Sequence, residues 1–193
     1  MEPELDTIRK NVISCTRCEL SKTRTNAVPG IGSTETGIVF IGEAPGRNED
    51  LQGTPFVGTA GKILSEALEC AGFVRQDIYI TNVVKCRPPN NRRPNKQEIE
   101  SCATYLQKEL ETIQPKIICV LGNTAFGSLL GGKEITKNRG KVMRKHGHLY
   151  FITLHPAAII YNQELRQILK EDLKTLHGIL DKIKKGIDIE INE

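Results

Sequence analysis

The sequence predicts an α/β protein: a three-layer α/β/α fold around a central, mainly parallel sheet of four strands. Four short β-branched runs, residues 38–41, 78–81, 116–121 and 149–154, alternate with longer amphipathic stretches. Strand and helix in turn imply parallel strands with helices on both faces. Capping signals mark the boundaries: Asn95 followed three residues later by Glu98 forms a capping-box pattern, and Gly72 and Gly186 each close a helical pattern.

The elements follow in order. Residues 1–37 read as an N-terminal helix and an ordered loop. A helical pattern over 61–71 places Ile63, Leu64, Ala67, Leu68 and Ala71 on one face; a second spans 96–113, a short one follows Gly122-Asn123, and a long one covers 163–184. The last seven residues, 187–193, alternate apolar and acidic side chains and are read as a frayed tail in preference to an added edge strand. No linker divides the chain, so 1–193 is expected to be one domain.

Several classes are excluded early. The longest purely apolar run, Ile117 to Leu121, is far short of the roughly 18 residues of a membrane helix. The acidic start, Met1 to Asp6, lacks the order of an export signal, which places the chain in a reducing cytoplasm with no membrane partner. There cysteines serve as metal ligands or core thiols before disulfides. A net charge of +4 is too small to prove a nucleic-acid partner, so its distribution matters more.

In open α/β sheets ligands bind beyond the carboxyl ends of the strands. The residues there are Gly42-Glu43-Ala44-Pro45-Gly46, Asn82, Gly122-Asn123 and His155-Pro156. Each offers a glycine, an amide or an imidazole, which helix packing does not select for. Cys15 and Cys18 form a C-x2-C pair, while Cys86 and Cys102 stand alone. Four such thiolates can close a tetrahedral sulfur site suited to zinc or an iron-sulfur cluster. Cys70 and Cys119 are expected to be core thiols. Two segments carry no acid: 85–95, with Lys85, Arg87, Arg92 and Arg93, and 135–163, with Lys137, Arg139, Lys141, Arg144, Lys145 and three histidines. Flanking the same sheet edge, they point to phosphate contacts.

The strings Gly42-Glu-Ala-Pro-Gly-Arg-Asn-Glu-Asp50 and His155-Pro-Ala-Ala158, with Gly53 to Gly58, Thr81 to Cys86 and the four cysteines, closely resemble the family 4 uracil-DNA glycosylases, the iron-sulfur branch of thermophilic bacteria and archaea. The likeness runs through nearly the whole chain. It implies the uracil-DNA glycosylase fold, a [4Fe-4S] cluster on Cys15, Cys18, Cys86 and Cys102, and excision of uracil from single- or double-stranded DNA by a monomer. Repair or replication proteins are further expected partners.

The resemblance also implies roles. Phe56 is the ring on which an everted uracil stacks, and Asn82 reads its O4 and N3–H. His155 donates to O2, where negative charge develops. Other uracil glycosylases carry in the first motif an aspartate that positions water and a tyrosine that blocks the thymine methyl; here Ala44 and Gly46 stand in those places. Glu43 is then the first candidate for the water-positioning carboxylate and Glu49 the second, with Gly42, Ala44 and Gly46 lining the base. Arg87, Arg92, Arg93, Arg139 and Lys141 are expected to meet DNA phosphates, and Ile159 or Ile160 to fill the gap left by the flipped nucleotide. The competing readings are a non-catalytic iron-sulfur module that binds DNA and, on weak glycine signals, a nucleotide-binding α/β protein.

Overall fold

The computed structural model describes residues 1–192. Strands β1 (Ile38–Gly42), β2 (Tyr79–Asn82), β3 (Ile117–Leu121), β4 (Val142–Lys145) and β5 (His148–Thr153) make a single sheet in the order β2-β1-β3-β5-β4. β1 runs parallel to β2 and β3, and β3 parallel to β5. β4 pairs antiparallel with β5. The fold class is the expected one, with five strands in place of four. Val142-Met-Arg-Lys145 escaped the sequence reading because its charged residues look like part of a basic loop. Charged side chains on a short edge strand are how sheets avoid pairing with another chain.

Because the side chains of a strand alternate, each central strand supplies two cores. Val39, Ile41, Ile118, Val120 and Ile152 meet Val12 of α1 (Glu2–Ile13), Leu106 and Leu110 of α5 (Lys96–Ile113) and Phe126 of α6 (Gly122–Leu130). Ile38, Phe40, Ile117, Cys119 and Phe151 meet Leu64 and Leu68 of α4 (Thr59–Cys70), and Leu173 and Leu176 of α9 (Leu165–Lys184). The helix start at Asn95 is as the pattern implied: its side chain accepts from the Glu98 amide at 2.9 Å, and Glu98 accepts from the Asn95 amide at 2.8 Å.

Two expectations are corrected. Cys70, taken as a core thiol, is exposed at the end of α4, where the chain turns at Gly72. Cys119 is buried as expected. The tail, without regular structure over 187–192 and mostly exposed, is tied at two points: Asn192 donates its amide N–H to the Val142 carbonyl at 2.6 Å and accepts from the Val142 amide at 3.0 Å, and Ile189 packs against the core. The unpaired rim of β4 supplies those groups. Glu193 lies outside the described residues.

Lys85, assigned by sequence to a basic run, is buried. Its ammonium and the Glu109 carboxylate lie 2.6 Å apart with each side chain 1% exposed. Glu109 also accepts from the Thr81 hydroxyl at 3.0 Å and the Tyr79 hydroxyl at 3.3 Å. Removing one member strands the other charge in a low-dielectric interior, which typically costs about 3–5 kcal/mol, whereas an apolar replacement of both is far milder. Glu109→Gln should therefore destabilise the protein in urea by several times as much as the double change Lys85→Met with Glu109→Leu. Equal midpoints for the two would show that the pair contributes nothing specific.

Candidate nucleobase site

The cleft lies beyond the carboxyl ends of β1, β2, β3 and β5, has a volume of about 660 Å³, and is lined by residues from every loop on that edge. β1 ends in Gly42, and the turn that follows carries Glu43, Ala44 and Gly46 into the cleft wall. Asn82 closes β2, His155 follows β5, and Phe56 comes from the loop between α3 (Arg47–Gln52) and α4.

Gly42 is the meeting point. A Cβ there would fall 2.5 Å from Asn82 Oδ1 and 2.6 Å from Phe56 Cζ, so only glycine lets the amide and the ring close on the same stretch of backbone. The Phe56 and His155 rings lie 5.9 Å apart between centroids, tilted by 33°. Aromatic platform, amide and imidazole thus converge on one cleft.

Asn82 is 2% exposed, yet its Oδ1 has no hydrogen-bond partner. A buried acceptor left unpaired costs about 1–3 kcal/mol, so such an atom marks a place for a donor. His155 Nδ1 accepts from the Ala157 amide at 3.1 Å. In the neutral ring this leaves the proton on Nε2. Burial pulls the His155 pKa down to about 4, against a smaller opposing pull from the Glu49 carboxylate. The ring is therefore a neutral donor across the physiological range.

The two candidate carboxylates differ. Glu43 lines the cleft, half-buried, on the β1 turn. Glu49 is buried and accepts from three backbone amides: Gly46 at 3.1 Å, Val57 at 2.9 Å and Gly58 at 2.7 Å. Its oxygens brace the loops on either side, which suits a structural brace better than activating water.

The residues expected to meet phosphates divide. Arg92 and Arg93 line the cleft, and Arg92 also forms a two-pronged ion pair with Glu98 at 2.6 and 2.9 Å. Arg87 lies in the adjoining loop, with Nε donating to Asn91 at 2.7 Å. Arg139 does not line the cleft: both of its prongs bind Asp172, at 2.6 and 3.0 Å, because that buried carboxylate on α9 needs a counter-charge. Lys141 sits at the far edge beside β4, its ammonium 3.5 Å from Asn138 Oδ1. Ile159 is also corrected, being 0% exposed in the core beneath the sheet. Its neighbour Ile160 is 42% exposed on the cleft rim, and Tyr161, which the sequence reading passed over, is 90% exposed beside it. Arg47 at the start of α3 is a further cation on the cleft wall that no acid-free run revealed.

A second, smaller pocket gathers Cys15, Cys18, Cys86 and Cys102 from the α1–α2 loop (α2, Leu20–Thr23), the segment after β2, and α5. Arg24 Nη1 donates to Cys86 Sγ at 2.9 Å, and its other prong binds the Cys15 carbonyl at 2.8 Å. The Lys85 amide donates to Cys102 Sγ at 3.3 Å. Burial pushes the Cys102 thiol up to about 11. Among the described residues no three thiol, imidazole or carboxylate groups stand close enough to hold a single ion. No helix is long and apolar enough to cross a membrane.

The family model of the uracil DNA glycosylase superfamily matches residues 29–176. The chain is 45% identical over 187 residues to a type-4 uracil-DNA glycosylase of Archaeoglobus fulgidus, covering 92% of this chain and 94% of that protein. It is 48% identical over 185 residues to a type-4 uracil-DNA glycosylase of Sulfurisphaera tokodaii, covering 91% and 84%. For that of Thermotoga maritima the identity is 43% over 186 residues, covering 94% and 97%. Sequence kinship and cleft geometry agree, and the chain belongs to the uracil-DNA glycosylase superfamily, in its type-4 group.

Proposed function

We propose that this chain is a monofunctional glycosylase that takes uracil out of DNA and hydrolyses its N-glycosidic bond, leaving an abasic site. The observation that carries the reading is the buried, unpaired Oδ1 of Asn82 in a cleft shared with Phe56 and His155. Uracil offers a donor at N3 and an acceptor at O4, the complement of an amide's oxygen and nitrogen. Cytosine reverses both, so an amide held in one orientation leaves polar groups unpaired against it.

The everted base stacks on Phe56, since a base undergoing chemistry must leave the helix. Cleavage leaves an oxocarbenium-like sugar and a uracil anion. The neutral His155 donates from Nε2 to O2 where that charge gathers, without the cost of ionising a half-buried ring. Glu43 is the carboxylate we assign to orienting water, because Glu49 is engaged by three amides. Ile160 and Tyr161 occupy the place of the departed nucleotide in a duplex, and Arg47, Arg92 and Arg93 meet the flanking phosphates.

The four cysteines suit the [4Fe-4S] cluster that the resemblance implies. They surround one pocket, and the Arg24 guanidinium and the Lys85 amide point N–H donors at two of the sulfurs, as suits thiolate ligands. Such a cluster would supply a crosslink between the N-terminal loop, the segment after Asn82 and α5.

A uracil-containing oligonucleotide treated with the protein and then with alkali should break at the uracil, and His155→Ala should slow this by about 10² to 10³. Intact oligonucleotide, single- and double-stranded alike, would refute the reading. The His155 ring should titrate with a midpoint near 4 by NMR. Its proton is held more readily by the unfolded chain, so stability should be full above the ordinary value of 6.5 and decline as pH falls towards about 4. A midpoint near 6.5 contradicts the buried neutral ring. The purified protein should be brown and carry iron; a colourless preparation with stoichiometric zinc would remove the cluster.

A further inference from the structure

Phe56 has a φ of 54°, in the left-handed region that non-glycine residues rarely adopt. Such a conformation costs about 1–3 kcal/mol and persists only where the surroundings hold it. The holding groups come from three elements. Arg75, in the single 3-10 turn Arg75–Asp77 after α4, donates from Nη2 to the Phe56 carbonyl at 2.9 Å and to the Pro55 carbonyl at 3.4 Å. Glu49 Oε1 accepts from the Val57 amide at 2.9 Å and the Gly58 amide at 2.7 Å. A Cβ at Gly61 would lie 1.8 Å from the Phe56 carbonyl oxygen, so α4 begins directly against that oxygen.

The Phe56 carbonyl and the Val57 N–H belong to one peptide group. A cation grips its oxygen and a carboxylate its hydrogen, from opposite sides, so the plane cannot turn. The Pro55 carbonyl, in the peptide before the ring, is held by the same nitrogen, so both peptides flanking the Phe56 Cα, and with them the direction of its side chain, are fixed. Arg75 is half-buried, its hydrogen bonds go to main-chain carbonyls, and its Nη1 is buried without a partner. Both bonds come from Nη2, so one nitrogen of the guanidinium reaches the carbonyls on either side of the Phe56 Cα.

We propose that Arg75 is a positioning residue for the aromatic platform: with Glu49 it locks the Phe56–Val57 peptide and thereby keeps the Phe56 ring where the everted uracil lands. This rests on the reading of Phe56 as that platform.

The test joins two measurements on the full protein. With fluorophenylalanine incorporated, the five phenylalanines give a simple fluorine NMR spectrum. Arg75→Met should shift or broaden the Phe56 signal, assigned by Phe56→Ala, while leaving Phe40 and Phe151 in place. Single-turnover excision by Arg75→Met should fall about 10- to 100-fold, as expected for a misplaced binding group. Arg75→Lys, which keeps a charged donor, should recover part of the rate; if Arg75→Met does not fold, Arg75→Gln takes its place. In a Phe56→Ala background Arg75→Met should change the rate less than about twofold, because nothing is left to position. Equal slowing in both backgrounds, or an unmoved Phe56 signal, overturns the assignment. If Phe56→Ala alone leaves excision intact, the platform reading fails, while the fluorine spectra still decide whether Arg75 holds the ring.

Discussion

A buried ammonium has to be met by an acceptor within reach, and in this chain Lys85 meets three. Its Nζ pairs with Glu109 and donates to the Thr81 hydroxyl and to the Asn82 carbonyl, while its main-chain amide donates to Cys102 Sγ. The five residues from Asn82 to Cys86 thus form a strut, with the cleft-lining amide of Asn82 at one end and a cysteine of the second pocket at the other. Stiffness of this kind is what the proposed role of the Asn82 amide requires, since a few tenths of an ångström of freedom would let it swivel. The side chain of Asn82 is left unsatisfied at the cleft while its own carbonyl is tied down behind it.

The three side chains that converge beside Gly42 carry no charge. His155 is neutral, Asn82 and Phe56 are uncharged, and the Glu49 carboxylate is covered by three amides. Fixed dipoles of this kind need no reorganisation as charge develops, which is what the proposed reaction asks of them. The charged side chains Glu43, Arg47, Arg92 and Arg93 line the same cleft. The exposed Ile160 and Tyr161 complete the rim on the side of the β5 loop.

The basic runs show why charge along a sequence is a poor guide to a surface. Of the cations in the two acid-free segments, Lys85 is buried against Glu109, Arg139 is paired with Asp172, and Arg92 shares Glu98. Each partner comes from a helix outside the run. An acid-free stretch is therefore not a stretch free of acids in space, and of the cations in the two runs only Arg92 and Arg93 line the cleft, beside Arg47 from outside both.

The sequence by itself determined the layering, the identity of the strand-end loops and the set Gly42, Phe56, Asn82 and His155, because these depend on local period, on turn chemistry and on a motif that runs in order. It also marked the four cysteines. Tertiary structure alone decided which isoleucine is core, that Arg139 belongs to Asp172, that Glu49 braces two loops, and that Arg24 and Arg75 reach Cys86 and Phe56 across 62 and 19 positions of chain. Those outcomes depend on which long side chains meet after the helices have packed. A flexible cation finds the nearest buried acceptor, and nothing in its own neighbourhood of the sequence says where that acceptor will be.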